Sequence, residues 1–364
     1  SRNMAKMKPF ISKIIICILS FIGCILTSNA QILVSNGQNW TAEEAAYRGN
    51  YFLTDMAIET ADHVLMYQMA DGGWPKGIYY PAQLNATDIA KVPEIKKQQA
   101  SSLSGKTTLT EIHFLSNMYQ ATARKKYKKA VEDGVSFLLH TQFANGGWPK
   151  MTIEANQFSN LSDNSFIDIM NLLWRVSEGR MPYDFIQADI KKQCRESFEM
   201  GVGFILRTQY MQDGKPTIWC TCYDSNTLQP IAGEGQDLLA LNSQISDNLT
   251  NLLMGLGQPS ESIVNAIEGS IQWYKEHKVS GLKRENFVNK QGKRDFKFIE
   301  DRHAPDMWSL YYDISTNKPL FCEIDGEIKA SLDELSYESR KSKSWYNNDG
   351  GKLLRTYEKW KSLQ

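Results

Sequence analysis

Between positions 108 and 123 the apolar residues fall at Leu109, Ile112, Leu115, Met118 and Tyr119, the spacing of one face of a helix. The stretch 127–143 repeats that period through Ala130, Val131, Val135, Phe137, Leu138 and Leu139. The same pattern predicts helices over 163–176, with Ser162 or Asp163 as N-cap, and over 188–210, 247–254 and 260–277. Thr41-Ala-Glu-Glu44 reads as a capping box opening a helix that continues, in one or two pieces, to Met69. Beyond 278 the pattern changes. Residues 311–322 hold two short apolar runs around a turn and predict a hairpin, Asp325-Gly326 a further turn, and 350–363 a terminal helix.

A phrase recurs between these segments. Gln68-Met-Ala-Asp-Gly-Gly-Trp-Pro-Lys76 returns as Gln142-Phe-Ala-Asn-Gly-Gly-Trp-Pro-Lys150 and, more loosely, as Gln209-Tyr-Met-Gln-Asp-Gly-Lys-Pro-Thr-Ile-Trp219. The tryptophans at 74, 148 and 219 are 74 and 71 residues apart, a period that marks a repeated supersecondary unit. Two predicted helices separate successive loops, so the expected architecture is mainly α. It is a toroid of helical hairpins with a small β-hairpin and an irregular C-terminal region. No low-complexity linker interrupts 35–364, which is read as a single domain.

Charge and composition exclude rather than identify. Lysine plus arginine equal aspartate plus glutamate at 41 each, so no global field favours nucleic acid or an anionic membrane. Lys6, Lys8 and Lys13 precede the apolar run 14–26 and the small residues Ser28 and Ala30, the layout of a signal peptide over 1–30 cleaved after Ala30. The expected destination is secreted or periplasmic, with lipoprotein anchoring through Cys24 ranked second. No membrane span is expected in the mature chain, nor nucleic acid as partner, and a monomer is assumed. Cys194, Cys220, Cys222 and Cys322 remain after cleavage and read as buried apolar residues.

The candidate chemistry starts from the recurring loop. Trp74 and Trp148 suit stacking on sugar rings, and Lys76 and Lys150 suit carboxylates. A core-capping role for the indoles carries equal weight. Asp163 opens a helix as a cap or offers oxygen ligands to Ca²⁺. No Ser-His-Asp order, phosphate loop or HExxH metal motif is present.

Taken together, the two Gly-Gly-Trp-Pro-Lys loops, the stretch Trp219–Pro230, the stretch Trp308–Gly326 and Tyr337-Glu-Ser-Arg340 with Trp345-Tyr346 resemble the family 10 pectate lyases over about 40–363. The resemblance implies an (α/α)₃ toroid and calcium-assisted β-elimination of polygalacturonate. It also implies Asp163 as metal contact and Trp74, Lys76, Trp148, Lys150, Arg340 and Tyr346 as substrate contacts. An acidic plant polysaccharide or oligouronide is then the partner.

The chain departs from that pattern at several positions. Glu234 stands where the family's presumed base, an arginine, is expected. Trp308-Ser-Leu310 and Glu323-Ile-Asp-Gly326 each lack an arginine, and Ser104-Gly-Lys-Thr-Thr108 lacks an aspartate. Three expectations follow: a lyase of altered or weakened activity with Glu234 in the catalytic slot, a non-catalytic carbohydrate-binding relative, or, last, a terpene cyclase-like α/α toroid.

Overall fold

The computed structural model describes Trp40 and residues 42–45, 49–149 and 158–364. The leader expected over 1–30 lies outside the described residues, as does Lys150. The helices are α1 Ala42–Ala45, α2 Asp55–Tyr67, α3 Ala86–Lys97, α4 Leu109–Thr122, α5 Lys125–Thr141, α6 Ser165–Ser177, α7 Ala188–Thr208, α8 Ser243–Met254, α9 Glu261–Glu276, α10 Tyr337–Lys341 and α11 Asp349–Ser362. The strands are β1 Phe158–Asn160, β2 Met211–Gln212, β3 Lys215–Pro216, β4 Cys222–Asp224, β5 Pro230–Ile231, β6 Leu241–Asn242, β7 Leu282–Val288, β8 Arg294–Glu300, β9 Trp308–Ser309, β10 Tyr311–Tyr312, β11 Pro319–Cys322, β12 Ile328–Lys329 and β13 Tyr346–Asn347.

This corrects the expected fold class. The protein is 48% helix and 15% strand, a mixed α/β fold rather than a mainly α toroid with one small hairpin. The strands pair antiparallel in sheets ordered β1-β4-β5, β12-β11-β10-β6, β13-β9, β2-β3 and β7-β8. Most are two to four residues long. A period-2 pattern cannot declare itself over two residues, so these strands read as loop in the sequence.

Two compact units result. One comprises residues up to Ser102 together with Thr110–Val135; the other comprises Leu103–Leu109 and Ser136–Gln364. The strands named above all fall in the second unit. The first is helical, with Val64, Tyr67, Trp74, Phe114, Leu115 and Val131 in its core. In the second, α6 packs on α7, and α8 packs against α9 and α11.

The recurring phrase works as a staple in each unit. In the first, Gln68 Nε2 donates to Gly72 O in its own loop and to Ala130 O of α5, both at 2.9 Å. Trp74 Nε1 donates back to Val64 O of α2 at 2.7 Å. In the second, Gln142 Nε2 donates to Gly146 O and to Ser197 O of α7, and Trp148 Nε1 donates to Leu138 O. Gln209 Nε2 likewise donates to Thr217 O and Ala266 O, and Trp219 Nε1 to Ile205 O. Each glutamine therefore ties a helix end to its loop and to a second helix, while each indole plugs the space between. The fit at the first copy is close: a Cβ on Gly134 would meet the Trp74 ring at 2.9 Å and Ile112 at 2.8 Å.

One ionisable group strains the second unit. Burial, reinforced by Asp349 of α11 and opposed by Lys352, pushes Asp247 of α8 up to about 7. The folded chain then holds this proton more tightly than the unfolded chain does. The stabilisation is present at pH 4 and is lost as the pH rises through 7. An Asp247→Asn variant is expected to match the wild type in unfolding free energy near pH 3 and to exceed it at pH 8, by on the order of 2–4 kcal/mol. Equal free energies at pH 8 would show that the carboxylate ionises freely in the fold.

Candidate functional site

Asp163 sits in the turn between β1 and α6. The N-cap of α6 is Asn164, in a left-handed conformation with φ 61° and no side-chain cap. Asp163 supplies the missing acceptor: its Oδ1 accepts from Ser165 N at 3.1 Å and from Ser165 Oγ at 2.6 Å. Asn164 Oδ1 accepts from Asn248 Nδ2 of α8 at 2.7 Å. These bonds fix the turn and leave Asp163 Oδ2 buried, with no hydrogen-bond partner among the described residues. A buried carboxylate oxygen without a donor is costly, so its retention points to a ligand.

A second carboxylate interacts with it, and a lysine interacts with that carboxylate. Burial raises the Asp168 carboxyl above its ordinary range, with Lys106 opposing and Asp163 adding to the rise. Lys106 reaches this place because the short 3₁₀ turn Ser104–Lys106 packs against α6. Neither Asp168 nor Lys106 was singled out in the sequence. Asp168 lies five residues beyond Asp163, a spacing hidden by reading the first turn of α6 as a simple cap.

The loop 233–237 is tied to the same turn. Asn160 of β1 donates from Nδ2 to Asp237 Oδ2 at 2.7 Å. Asp163 is three residues after Asn160, and Glu234 three before Asp237. The loop closes on itself through Gly233 N to Asp237 O and Asp237 N to Glu234 O. Tyr311 Oη holds Gln236 O at 2.6 Å. Gly326, at φ 93°, lies so near that a Cβ there would meet Gly235 O at 2.4 Å. One amide thus links the strand that precedes the Asp163 turn to the loop that carries exposed Glu234.

The positions lacking arginine are filled in ways that close them to guanidinium chemistry. Leu310 is buried in an apolar cluster with Phe296, Phe321 and Trp345. Ile324 is an exposed apolar side chain. Glu323 is not available either: it accepts from Ser336 N, Ser336 Oγ and Ser339 Oγ, which lower its carboxyl to about 2.

The remaining candidates are placed differently from the expectation. Trp74 is 0% exposed and Trp148 3%, each with its N–H spent on a helix carbonyl, so neither offers a face to a sugar. The sugar-stacking role is corrected to a packing role. Lys76 is exposed in the first unit. Lys150 lies outside the described residues. Arg340 is engaged within the protein: its Nε and Nη2 clasp Asp295 at 3.0 and 2.7 Å, and its Nη1 donates to Leu335 O. Two of its nitrogens anchor β8 and the third ties it to the loop before α10. Tyr346 opens onto a cavity of about 580 Å³ beside Leu282, Phe298, Leu320 and Phe321, none of which belongs to the Asp163 turn or the 233–237 loop.

Calcium takes about six to eight oxygens. No group of three or more His, Cys, Asp or Glu able to hold a metal is present among the described residues. What the site offers is the partnerless Asp163 Oδ2 with Asp168 near it. That set does not make a closed cage. Cys194, Cys220, Cys222 and Cys322 are buried and form no disulfide among the described residues, and burial pushes the Cys194 and Cys220 thiols up to about 12. No helix among the described residues is long and apolar enough to cross a membrane.

Comparison with known proteins adds three findings. A family described as pectic acid lyase matches residues 68–354. Two solved structures of a family 10 polysaccharide lyase from Cellvibrio cellulosa are similar to this fold. One is the lyase itself and the other a point mutant in complex with trigalacturonic acid, each at 22% identity and a TM-score of 0.69. The alignments cover 88% of this chain and 98–99% of those chains. A search of curated proteins gives no match.

Proposed function

The chain belongs to the pectic acid lyase family, and on that premise we propose that it is an exported lyase of uronate polymers acting by β-elimination. The observation that carries the proposal is the buried Asp163 Oδ2, which has no hydrogen-bond partner among the described residues. In the elimination, a base takes the proton from C5 of the uronate, the C4–O bond to the leaving sugar breaks, and a C4–C5 double bond forms. The C5 proton is weakly acidic, so charge building on the adjacent carboxylate must be neutralised. Calcium, when bound, would supply that neutralisation, with Asp163 and Asp168 as its protein holders. Lys106 adds a fixed cation near Asp168. Glu234, exposed and at the tip of a tight loop, takes the proton.

A second reading is favoured by particular residues. Leu310 in the core, Ile324 on the surface and Glu234 together remove guanidinium groups from the positions where the family pattern has them. A cleft so depleted would bind uronides and turn them over weakly or not at all.

The test is incubation of the full chain with polygalacturonate and calcium, following the ultraviolet absorbance of the unsaturated product. A slow, chelator-sensitive rise that falls on Glu234→Gln substitution is expected. Retention of oligouronide with no absorbance change would establish the second reading, and neither turnover nor retention would overturn both.

A further inference from the structure

The ribbon β7–β8 is the part of the second unit that the proposed chemistry leaves unused. Seven residue pairs, from Leu282↔Glu300 to Val288↔Arg294, join it into a hairpin. Strand β7 is exposed along nearly all its length. Residues 282–300 carry six cations, Lys283, Arg284, Lys290, Lys293, Arg294 and Lys297, against three carboxylates, in a chain whose net charge is zero. Two of those carboxylates are consumed. Glu285 pairs with Lys297 at 3.3 Å, and Asp295 is clasped by Arg340 at 2.7 Å. Glu300 remains at the base of the ribbon.

Lys283, Arg284, Lys290, Lys293 and Arg294 have no carboxylate within ion-pair distance among the described residues. Arg284 lies over the Phe296 ring and Lys293 over Tyr337. Lys341 of α10 adds a sixth cation, donating to Arg294 O. Phe287 and Val288, 40% and 66% exposed, stand at the tip between them.

We propose that this cationic ribbon is a docking arm for the acidic polysaccharide, engaging carboxylates of the polymer away from the bond that breaks. The proposal rests on the uronate reading above. Its charge argument is one of complementarity. A polyuronate carries one negative charge per sugar, and the arm spans about 23 Å, long enough to meet several. The same unit has apolar or acidic residues at 310, 324 and 234, so affinity for a polyanion has to come from elsewhere on the chain. Lysines on a free edge strand also discourage edge-to-edge pairing. That role alone would make polymer binding indifferent to their sign.

The test is a charge reversal, Lys283→Glu with Lys290→Glu and Lys293→Glu, checked for an unchanged unfolding midpoint. Its retention on polygalacturonate is measured at low and high salt. Retention is expected to fall at least about tenfold at low salt, the difference shrinking in high salt. Turnover of trigalacturonate is expected to stay as in the wild type. Unchanged polymer retention would overturn the proposal. So would a loss confined to DNA or to anionic vesicles, or an equal loss on the trisaccharide. Because retention is read without catalysis, a chain that eliminates nothing still tests the arm.

Discussion

Replacing Asp163 by asparagine is expected to lower β-elimination by at least about a hundredfold while leaving the unfolding midpoint within about 1 kcal/mol of the wild type. The two oxygens of this side chain have separate tasks. Oδ1 accepts from the backbone and hydroxyl of Ser165 and so closes the turn into α6. Asparagine keeps a carbonyl oxygen for that. Oδ2 is buried and has no donor among the described residues. An amide in its place removes the charge without removing volume. If the oxygen serves only the fold, the variant should be as active as the parent and more stable, because a poorly solvated charge has gone. If it serves a cation shared with substrate, the loss falls on catalysis and on calcium affinity. Equilibrium dialysis with calcium and oligogalacturonate separates these outcomes without reference to rate. Parental turnover together with parental calcium uptake would remove Asp163 from the site.

Long elements were legible in the sequence and short ones were not. The periodic segments 108–123, 127–143 and 163–176 became α4, α5 and α6 within a few residues. The hairpin expected over 311–322 is β10 and β11. Helix α3 went unread because Val92 is its one buried side chain, so it presents no apolar stripe, although Asn85 and Asp88 form a capping box. The ribbon β7–β8 went unread for the matching reason: with β7 in solvent, no alternation is needed.

The site divides in the same way. Asp163 and Glu234 stand out in the sequence by their place in a pattern. Asp168, Lys106, Asn160 and Asp237 matter through tertiary proximity, which leaves no trace in local spacing. Arg340 stands in a phrase that reads as a ligand contact, and only the tertiary clasp shows that its Nε and Nη2 bond Asp295.

Truncating the second staple tests the corrected role of the tryptophans. Trp148→Ala is expected to cost about 3–5 kcal/mol, measured as a denaturant midpoint. The indole is enclosed by Phe166, with ring centroids 5.6 Å apart and edge to face, and by Gly201, where an added Cβ would lie 3.7 Å from its six-membered ring. Its N–H satisfies Leu138 O at 2.9 Å. Removing the ring leaves a cavity in the α6–α7 contact, where a Cβ on Gly201 would already meet Met170 at 2.2 Å. Trp148→Phe keeps most of the volume and loses the donor, so its cost should be about 1–2 kcal/mol. At temperatures where both variants remain folded, retention on polygalacturonate should equal that of the wild type, since the buried ring touches no ligand. A folded Trp148→Ala protein of parental stability that no longer holds the polymer would return the indole to the binding surface and overturn the packing role.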